Sequence, residues 1–445
     1  MRMGSPQVDD VVAAVPRSLV AMPSARVHGA PPGHCADVAR SHVLALVQAG
    51  GAGGRMDVLT RERAKPALPF AGVFQLVDFP LSNLANSGIT DVWLSVQFQG
   101  AGLGEEVANG RPWDLDRNRG GLRLLMPQEG TGGTDEEGFA KGNADELYRF
   151  RDQVVAEAPE ALVVMSADHV YTFDVMDAVA THRRTGAECT IVTTIIPTAE
   201  ATDHATVESD DDGRVTGFAY KPESPTTGTV ATEICVYEPA ALVRVLEELH
   251  RELGADAGEG DTGLGDYGEH LLPRLVGRGK VFEHAMKGYW KDLGQPHKYL
   301  AAHRDVITGD LGVFDDPDWP IMGHQQQRAA ARVLDGARVT DSLLSPGAAV
   351  SGTVIRSVLG PGVVVEQGAL VRDSVVFQDT RIQEGARLDW SVVDRDCVVE
   401  PGAEVGSGDT DPDDSDAIAL VGRGSRIGAG VTIPGGARLE PGTTA

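Results

Sequence analysis

The sequence predicts two successive domains: an α/β domain with a mixed, mostly parallel sheet, followed by a parallel β-helix. Two observations lead to this prediction. Short apolar strands alternate with helical stretches between residue 41 and about residue 309, and from residue 333 onward aliphatic residues recur at six-residue steps. A chain of 445 residues is long enough for each domain to bury its own core.

The first domain is predicted from short apolar runs that are separated by segments of helical length. The predicted strands are Leu44–Val47, Asp91–Val96, Ala161–Met165 and Cys189–Ile195, and the predicted helices include Phe79–Asn86 and Ala144–Ala156. Strands joined by helices favour parallel pairing. Ligands of such sheets bind at the carboxyl ends of the strands, and a hairpin with its turn at Gly213 is predicted to flank that edge.

The second domain is predicted from the six-residue period of its aliphatic residues. Helices and ordinary strands have shorter periods, whereas a β-helix of stacked coils has this one. The repeated aliphatics are Val364, Leu370, Val376, Ile382, Leu388, Val393, Val399 and Val405, then, after an acidic interruption from Asp409 to Asp416, Ile427, Ile433 and Leu439. An acyltransferase built on such coils needs a general base, usually histidine. No histidine follows His324, so packing and subunit assembly are the favoured roles.

The domain boundaries follow from changes in composition. Residues 1–40 are rich in Ala, Pro, Ser and Gly, have no sustained period and are predicted to be a disordered extension. The α/β domain is predicted at 41–312, a linker containing DDPDWP at 313–332, and the β-helix at 333–445.

Composition and charge exclude several classes of partner. The formal net charge is −26 and no basic tract occurs, so neither nucleic acid nor an anionic membrane surface is an expected partner. No apolar run approaches the roughly 20 residues of a membrane span. The cysteines are far apart and show no metal-binding spacing, which favours reduced thiols and a cytoplasmic location.

A glycine-rich turn follows the first predicted strand. Its residues are Gly50, Gly51, Gly53 and Gly54, and they are followed by Arg55, a short helical run, Arg63 and Lys65. Glycines let backbone amides approach a phosphate because no Cβ intervenes, and the start of a helix would add a favourable dipole. The basic side chains would supply cations for a polyphosphate leaving group. Taken alone, the glycines fit an ordinary strand-to-helix turn about equally well.

Together with Lys65-Pro66, the turn resembles the signature GGxGTRL…KP of the sugar-1-phosphate nucleotidylyltransferases. The run VFQLVDFPLSNLANSGI makes it most similar to the ADP-glucose pyrophosphorylase (glucose-1-phosphate adenylyltransferase) branch. Further segments resemble family motifs in the same order, namely GNAD from Gly142, SADHVY from Ser166, Lys221-Pro222 and YWKDLG from Tyr289. The resemblance covers about residues 43 to 405 and implies a Rossmann-like domain followed by a left-handed β-helix.

The resemblance also implies roles for individual residues. Asp168 and Asp292 would hold Mg²⁺. Arg55 would stabilise the departing pyrophosphate and Lys65 the reacting phosphorus. Lys221 would hold the phosphate of the sugar. The implied nucleotide contacts are Gly50, Gly51, Gly53, Gln97, Gln128, Gly142 and Asn143. The implied reaction forms ADP-glucose and pyrophosphate from ATP and glucose 1-phosphate for α-glucan synthesis, in a homo-oligomer that is commonly a tetramer.

The sugar side of the site departs from the family pattern. Tyr220 replaces the glutamate that bonds glucose hydroxyls, Ala205 replaces a glycine, and Glu233 replaces a glycine of the pocket wall. Glu233 adds volume and charge and offers a new acceptor, for example to an amino sugar.

Three functions therefore remain open. The first is an ADP-glucose-forming enzyme. The second is a nucleotidylyltransferase for another nucleoside triphosphate or sugar 1-phosphate, such as that of glucosamine or mannose. The third is a non-catalytic regulatory homologue that binds nucleotide or sugar phosphate. The presence of both aspartates and of all three cations of the family site argues against the third.

Overall fold

The computed structural model describes residues 42–50, 53–126, 140–254, 261–406 and 414–445. The predicted amino-terminal extension, Gly51, Gln128 and most of the predicted acidic interruption lie outside these described residues. Within the described ranges, no helix is both long enough and apolar enough to cross a bilayer.

A nine-stranded mixed sheet forms the centre of the first domain. Its strands are Val43–Ala49, Asp91–Val96, Gly121–Leu125, Ala161–Ser166, Cys189–Ile195, Ala205–Ser209, Val215–Tyr220, Thr229–Tyr237 and Val281–Ala285. Val43–Ala49 pairs in parallel with Asp91–Val96 on one side and Ala161–Ser166 on the other. Because these strands run in the same direction, their carboxyl ends meet at one edge of the sheet.

Antiparallel strands extend the same sheet, which is therefore mixed, as predicted. Thr229–Tyr237 pairs antiparallel with Ala161–Ser166 and with Cys189–Ile195. The predicted hairpin is confirmed: Ala205–Ser209 and Val215–Tyr220 pair antiparallel on either side of Gly213, whose φ is +76°. This hairpin carries Tyr220 to the edge where the site forms.

Helices cover both faces of the sheet. They are Asp78–Asn86, Gly100–Val107, Asn143–Glu157, Val175–Thr185, Pro239–Leu253, Leu271–Gly277 and Pro296–Thr308. Leu84 and Val179 pack into the core on one face, and Leu147 and Leu246 pack into the core on the other. Since both faces are covered, the first strand is apolar along most of its length rather than alternating. The strands and helices predicted from the sequence agree with these bounds to within two residues.

Two short antiparallel pairs lie outside the main sheet. Pro69–Phe70 pairs with Phe74–Gln75, and His169–Tyr171 pairs with Trp290–Asp292. The second pair joins two segments that are far apart in sequence and that both carry predicted metal ligands.

The segment after the glycine turn differs from the prediction in one respect. Gly54–Thr60 is a 3-10 segment, and it is broken at Asp57, whose φ of 51° and ψ of −125° are not helical. A short, broken segment has no aligned series of peptide dipoles. The helix dipole expected beside the turn is therefore absent from Gly54–Thr60, and charge stabilisation there depends on side chains and individual amides.

The second domain is a left-handed parallel β-helix with three six-stranded faces. The strands of the first face are Arg332–Val333, Ala349–Val350, Val364–Val365, Arg381–Ile382, Val398–Val399 and Arg426–Ile427. Those of the second are Arg338–Thr340, Thr353–Ile355, Leu370–Arg372, Arg387–Asp389, Glu404–Val405 and Thr432–Ile433. Those of the third are Leu343–Leu344, Val358–Leu359, Val375–Val376, Ser391–Val393, Ala419–Val421 and Arg438–Leu439.

The predicted aliphatic column is confirmed along most of the β-helix. Val376, Ile382, Leu388, Val393, Val399, Val405, Ile427 and Ile433 are all buried in one core, against which Leu439 packs. In one coil the prediction is wrong by one residue, because Val365 and Val371 are fully buried whereas Val364 and Leu370 are partly exposed. Both neighbours are aliphatic there, so periodicity alone does not identify the inward residue.

A shared core joins the loop after the glycine turn to the β-helix. Met56, Val58 and Leu59 of the loop are buried in the same cluster as Phe377 and Leu420 of the β-helix. Residues 41–445 form one compact unit by their contacts. The boundaries at 312 and 333 stay predictions.

Candidate active site

The glycine turn follows the first strand of the sheet. Two of its glycines have no room for a side chain. A Cβ on Gly50 would lie 2.7 Å from Nε2 of Gln97. Gly53 has a φ of +65°, and a Cβ there would lie 3.0 Å from Cβ of Lys65. The hydroxyl of Thr60 donates a hydrogen bond of 2.9 Å to the carbonyl of Gly53 and so closes the loop on itself. Glycine at these positions is thus required by close packing.

Lys65 lies between the two predicted metal ligands. Its Nζ is 3.0 Å from Oδ2 of Asp168 and 3.9 Å from Oδ1 of Asp292. Asp292 lies beside His169 in the short antiparallel pair, and this pairing brings Asp292 next to Asp168 although the two are far apart in sequence. The structure therefore unites three residues that the sequence analysis could only name separately.

Burial and charge together set the ionisation of this centre. Burial alone would lower the pKa of Lys65, but the carboxylates of Asp168 and Asp292 outweigh that effect and hold the pKa above its usual value. Burial alone would raise the pKa of Asp292, but attraction to Lys65 and to nearby His169 outweighs it and holds the pKa well below the usual range. At neutral pH Lys65 is thus an ammonium and Asp292 is a carboxylate.

The donor set at this centre fits a hard divalent cation. Asp168 and Asp292 offer carboxylate oxygens, and Mg²⁺ is commonly held by one or two carboxylates together with substrate phosphates. Both carboxylates lie within 4.0 Å of the ammonium of Lys65, so they face a common space. The described residues contain no group of three or more metal-ligating side chains, so an ion here would depend on substrate oxygens.

Arg55 reaches the same centre from the glycine turn. A Cβ on Gly294 would lie 3.0 Å from Nη2 of Arg55 and 3.0 Å from Oδ1 of Asp292. Gly294 therefore leaves room beside its Cα for both the guanidinium and the carboxylate. Because Arg55 is largely exposed, its guanidinium is available to an anion from solution.

A cavity of about 290 Å³ lies beside Lys65 and the two aspartates, and Asp168 forms part of its lining. Its lining includes Gly50, Gln97, Gly142, Asn143, Asp168 and Glu233 from the predicted site, together with Gln48, Phe98, Ala140, Lys141, Glu146, Ser166, Asp266 and Tyr267. Most of the described nucleotide contacts that the sequence predicts are thus brought together in one place.

Gln97 is held in the cavity wall by its own hydrogen bonds. Its side-chain carbonyl accepts a bond of 3.0 Å from the amide of Ala140, and its amide donates one of 3.3 Å to Glu146. Glu146 also accepts bonds from Gln48 and Ser95. Burial raises the pKa of Glu146 more than these bonds lower it. Gln48 and Glu146 were not predicted from the sequence, because the family resemblance assigns no role to either position.

Gly142 and Asn143 are fixed by a segment that the sequence analysis also missed. A Cβ on Gly142 would lie 2.3 Å from the backbone of Gly265, so no other residue fits there without a shift of the chain. Oδ1 of Asn143 accepts a hydrogen bond of 2.6 Å from the amide of Tyr267. The segment around Gly265 to Tyr267 therefore forms the back wall of the cavity.

The sugar-side residues lie along this wall. The hydroxyl of Tyr220 donates a hydrogen bond of 3.0 Å to Oδ2 of Asp266. Nζ of Lys221 lies 4.7 Å from the centre of the Tyr220 ring, in a cation–π contact. Lys221 itself does not line the described cavity, but the bond from Tyr220 to Asp266 ties its hairpin to the cavity wall. Ala205 is buried directly opposite Tyr220 in the hairpin.

Glu233 has a backbone conformation that glycine adopts far more readily than glutamate. Its φ is +59°. Its Oε2 lies 3.9 Å from Nε2 of His169, and its side chain is 43% exposed toward the cavity that it lines. The sequence-based expectation that Glu233 brings charge into the pocket is consistent with this position.

Three further charged or titratable groups surround the centre without having been predicted. His169 is buried between Glu233 and Asp292, with its Nδ1 3.1 Å from the carbonyl of Thr232. Lys298 forms an ion pair of 2.9 Å with Asp203. Burial lowers the pKa of the adjacent His204 to about 4. His169 lies inside the SADHVY segment and could have been found from it, whereas nothing local singles out Lys298.

Comparison with known proteins agrees with this architecture. A family model described as nucleotidyl transferase matches residues 44–309, and one described as GlmU-like, C-terminal hexapeptide matches residues 329–424.

Curated relatives match along most of both chains. The chain is 35% identical to a glucose-1-phosphate adenylyltransferase of Thermomicrobium roseum, over 88% of this chain and 92% of the relative. It is 34% identical to that of Nitrosospira multiformis, over 82% and 88%. It is 31% identical to that of Clostridium perfringens, over 83% and 92%. The chain therefore belongs to the nucleotidyl transferase family, in the group of the glucose-1-phosphate adenylyltransferases.

Proposed function

We propose that the protein transfers the adenylyl group of ATP to glucose 1-phosphate, forming ADP-glucose and releasing pyrophosphate. The observation that carries this proposal is the position of Lys65, whose ammonium lies within 4.0 Å of both Asp168 and Asp292. Gly53 of the glycine turn packs against the same lysine. The names of the relatives support the choice of nucleotide and sugar. We also propose a cytoplasmic location and a role in supplying glycogen or α-glucan synthesis.

The proposed reaction is an in-line displacement at the α-phosphorus of ATP. A phosphate oxygen of the sugar 1-phosphate forms the new P–O bond while the bond to the β-phosphate breaks, and pyrophosphate leaves with the electron pair. No covalent enzyme intermediate is required, so the side chains position the reactants and stabilise charge. Lys65 donates to the oxygens of the reacting phosphorus, and Arg55 neutralises the pyrophosphate as it departs.

Asp168 and Asp292 are the proposed Mg²⁺ ligands, because they offer paired hard oxygens beside Lys65. The bound ion would supply positive charge to the phosphate oxygens. The same carboxylates would also keep Lys65 protonated, since they raise its pKa.

The remaining residues are proposed to bind and orient the two substrates. Gly50 and Gly53 present backbone amides to the phosphates, and the base lies in the cavity beside Gln97, Gly142 and Asn143. Gly51 and Gln128 are included on the resemblance alone. Lys221 holds the phosphate of the sugar, and Tyr220 and Glu233 contact the sugar ring.

We propose a homotetramer as the assembly. The β-helix supports an oligomeric state, because its stacked faces offer repetitive surfaces for contact between subunits. The mass of the purified protein, measured by light scattering at several concentrations, tests this proposal. A constant monomer mass would exclude it.

The proposed activity is tested by release of pyrophosphate with Mg²⁺ across four nucleoside triphosphates and the 1-phosphates of glucose, glucosamine, N-acetylglucosamine and mannose. We expect turnover with ATP and glucose 1-phosphate. We expect Asp168→Asn to lower turnover by about a hundredfold or more, because it removes charge from the metal site. Absence of turnover with every pair, while ATP still binds, would exclude catalysis and leave a regulatory homologue.

A further inference from the structure

We propose that the sugar pocket selects a hexose 1-phosphate that carries a positively charged amino group, and that Glu233 is the residue that selects it. This inference rests on the proposed adenylyl transfer and names the class of sugar phosphate at that site. It is carried by the position, the charge and the backbone of Glu233.

The carboxylate of Glu233 is only weakly neutralised by the protein. Among the described residues, His169 is the one ion-pair partner within 4.0 Å, at 3.9 Å, and His169 also lies 3.8 Å from Asp292. With 43% of its side chain exposed to the cavity, Glu233 faces the space that a substrate would occupy. A substrate group can therefore reach this carboxylate directly.

A second carboxylate makes the same wall more negative. Asp266 lines the cavity with Glu233, and its Oδ2 accepts the hydroxyl of Tyr220. Lys141 is the one cation in the described lining, and its ammonium lies 2.9 Å from Asp261. Acidic charge thus exceeds basic charge on the described wall. This excess favours a substrate group that carries positive charge.

The adjacent Tyr220 does not replace a sugar-binding carboxylate. Its hydroxyl is already engaged with Asp266, and its ring packs against the backbone of Gly268, where a Cβ would lie 2.1 Å from the ring. Glu233 therefore offers a carboxylate at this end of the site that is paired only weakly, with His169 at 3.9 Å. An ammonium within hydrogen-bond distance of it would form a charge-assisted bond, which is stronger than the bond that a neutral hydroxyl forms.

The backbone of Glu233 is consistent with a functional side chain. A φ of +59° is unfavourable for glutamate and unrestricted for glycine. Glycine would remove this strain together with the side chain. Strained backbone of this kind clusters at sites that bind or react.

The experiment compares kcat/KM for glucosamine 1-phosphate and glucose 1-phosphate, with ATP and Mg²⁺, in the wild-type protein, Glu233→Gln and Glu233→Gly. We expect the wild type to prefer glucosamine 1-phosphate by about tenfold or more. Both variants should lose that preference, because kcat/KM should fall more for the amino sugar than for glucose 1-phosphate. N-acetylglucosamine 1-phosphate, which is not charged at nitrogen, should show no such dependence on Glu233.

A matched control is Glu247→Gln, which removes an exposed carboxylate on the Pro239–Leu253 helix, remote from the described lining of the cavity. It should keep the wild-type preference. The thermal midpoint of each variant shows whether it is folded, and Glu233→Gly should be at least as stable as the wild type because it relieves the strained φ.

Two results would overturn the proposal. The first is a preference for glucose 1-phosphate, or an equal fall in kcat/KM for both sugars in Glu233→Gln. Selection by charge would then be wrong, Glu233 would accept sugar hydroxyls, and adenylyl transfer to glucose 1-phosphate would stand. If neither sugar phosphate is turned over with ATP, the proposed function fails and the selection fails with it.

Discussion

The guanidinium of Arg63 lies 2.5 Å from the carboxylate of Asp394, and both side chains are largely buried. Arg63 belongs to the loop that carries Arg55 and Lys65, whereas Asp394 belongs to the β-helix. Further ion pairs join the same loop to later coils, namely Asp57 with Arg438, Arg61 with Glu440 and Glu62 with Arg423. The β-helix thus holds in place the loop that carries Arg55 and Lys65.

Removal of the charge at Asp394 is expected to destabilise the protein and to impair catalysis. Asp394→Asn leaves the buried guanidinium of Arg63 without a counter-charge, and loss of one partner of a buried pair costs about 3–5 kcal/mol. We therefore expect a lower urea midpoint, together with a lower kcat because the loop of Lys65 is less well fixed.

The matched control for this pair is Glu440→Gln. The pair of Arg61 and Glu440 is exposed on both sides, so its loss should cost less than about 1 kcal/mol and leave kcat unchanged. Equal effects of the two substitutions on the urea midpoint would contradict a special role for the buried pair.

Lys65→Met is expected to lower kcat by about a hundredfold to a thousandfold, the range seen when one donor to a developing charge is removed. The methyl thioether fills most of the space of Lys65 but leaves Asp168 and Asp292 without their shared cation. Steady-state kinetics of pyrophosphate release measure the effect. Lys280→Met, which removes an exposed lysine that pairs with Glu188, should leave kcat unchanged. A loss of less than about tenfold for Lys65→Met would remove Lys65 from the mechanism.

Gly294→Ala is expected to reduce activity while the protein stays folded. The added Cβ would lie 3.0 Å from Nη2 of Arg55 and 3.0 Å from Oδ1 of Asp292, so both charged groups must move away from it. We expect kcat/KM to fall by about tenfold to a hundredfold, because small displacements at a reacting centre are costly. Gly277→Ala is the control, since a Cβ there meets open space. If Gly294→Ala were as active as Gly277→Ala, the space at Gly294 beside Arg55 and Asp292 would be irrelevant to the reaction.

His303 is expected to make stability depend on pH. Its Nδ1 lies 2.8 Å from the carbonyl of Tyr299, to which it donates, and its Nε2 accepts a hydrogen bond of 3.2 Å from the amide of Ala71. Both nitrogens are thus engaged in the neutral form. Burial, which the bond to Tyr299 only partly offsets, lowers the pKa of His303 to about 4.

The sign of the dependence follows from these values. In the unfolded chain this ring binds a proton below about pH 6.5, whereas in the folded chain it does so only near pH 4. The free energy of unfolding therefore falls as the pH is lowered from about 6.5 to about 4. Urea unfolding at pH 4.5, 5.5, 6.5 and 7.5 measures this slope. His303→Gln should make the slope smaller, whereas the exposed control His324→Gln should not. An unchanged slope in His303→Gln would assign the pH dependence to other groups, such as His182 and His204, whose pKa values are also lowered to about 4 by burial.

The sequence by itself determined the elements and the identities of most site residues. Apolar runs and the six-residue period specify strands, helices and coils because they depend on neighbours only a few positions away. The glycine turn and the Lys65-Pro66, SADHVY and YWKDLG segments could be read in the same local way. Periodicity failed where two aliphatics are adjacent, as at Val364 and Val365, because either can face inward.

Only the tertiary structure decided which of these residues meet. Lys65, Asp168 and Asp292 come from three distant segments, and their contact depends on a short antiparallel pair that has no local signal. The burial of Arg63 against Asp394 likewise depends on how the loop packs on the β-helix. The strained φ of Glu233 is set by its surroundings in the fold. Such contacts are fixed by the packing of whole elements, so their geometry, pKa shifts and energies cannot be read from residue order alone.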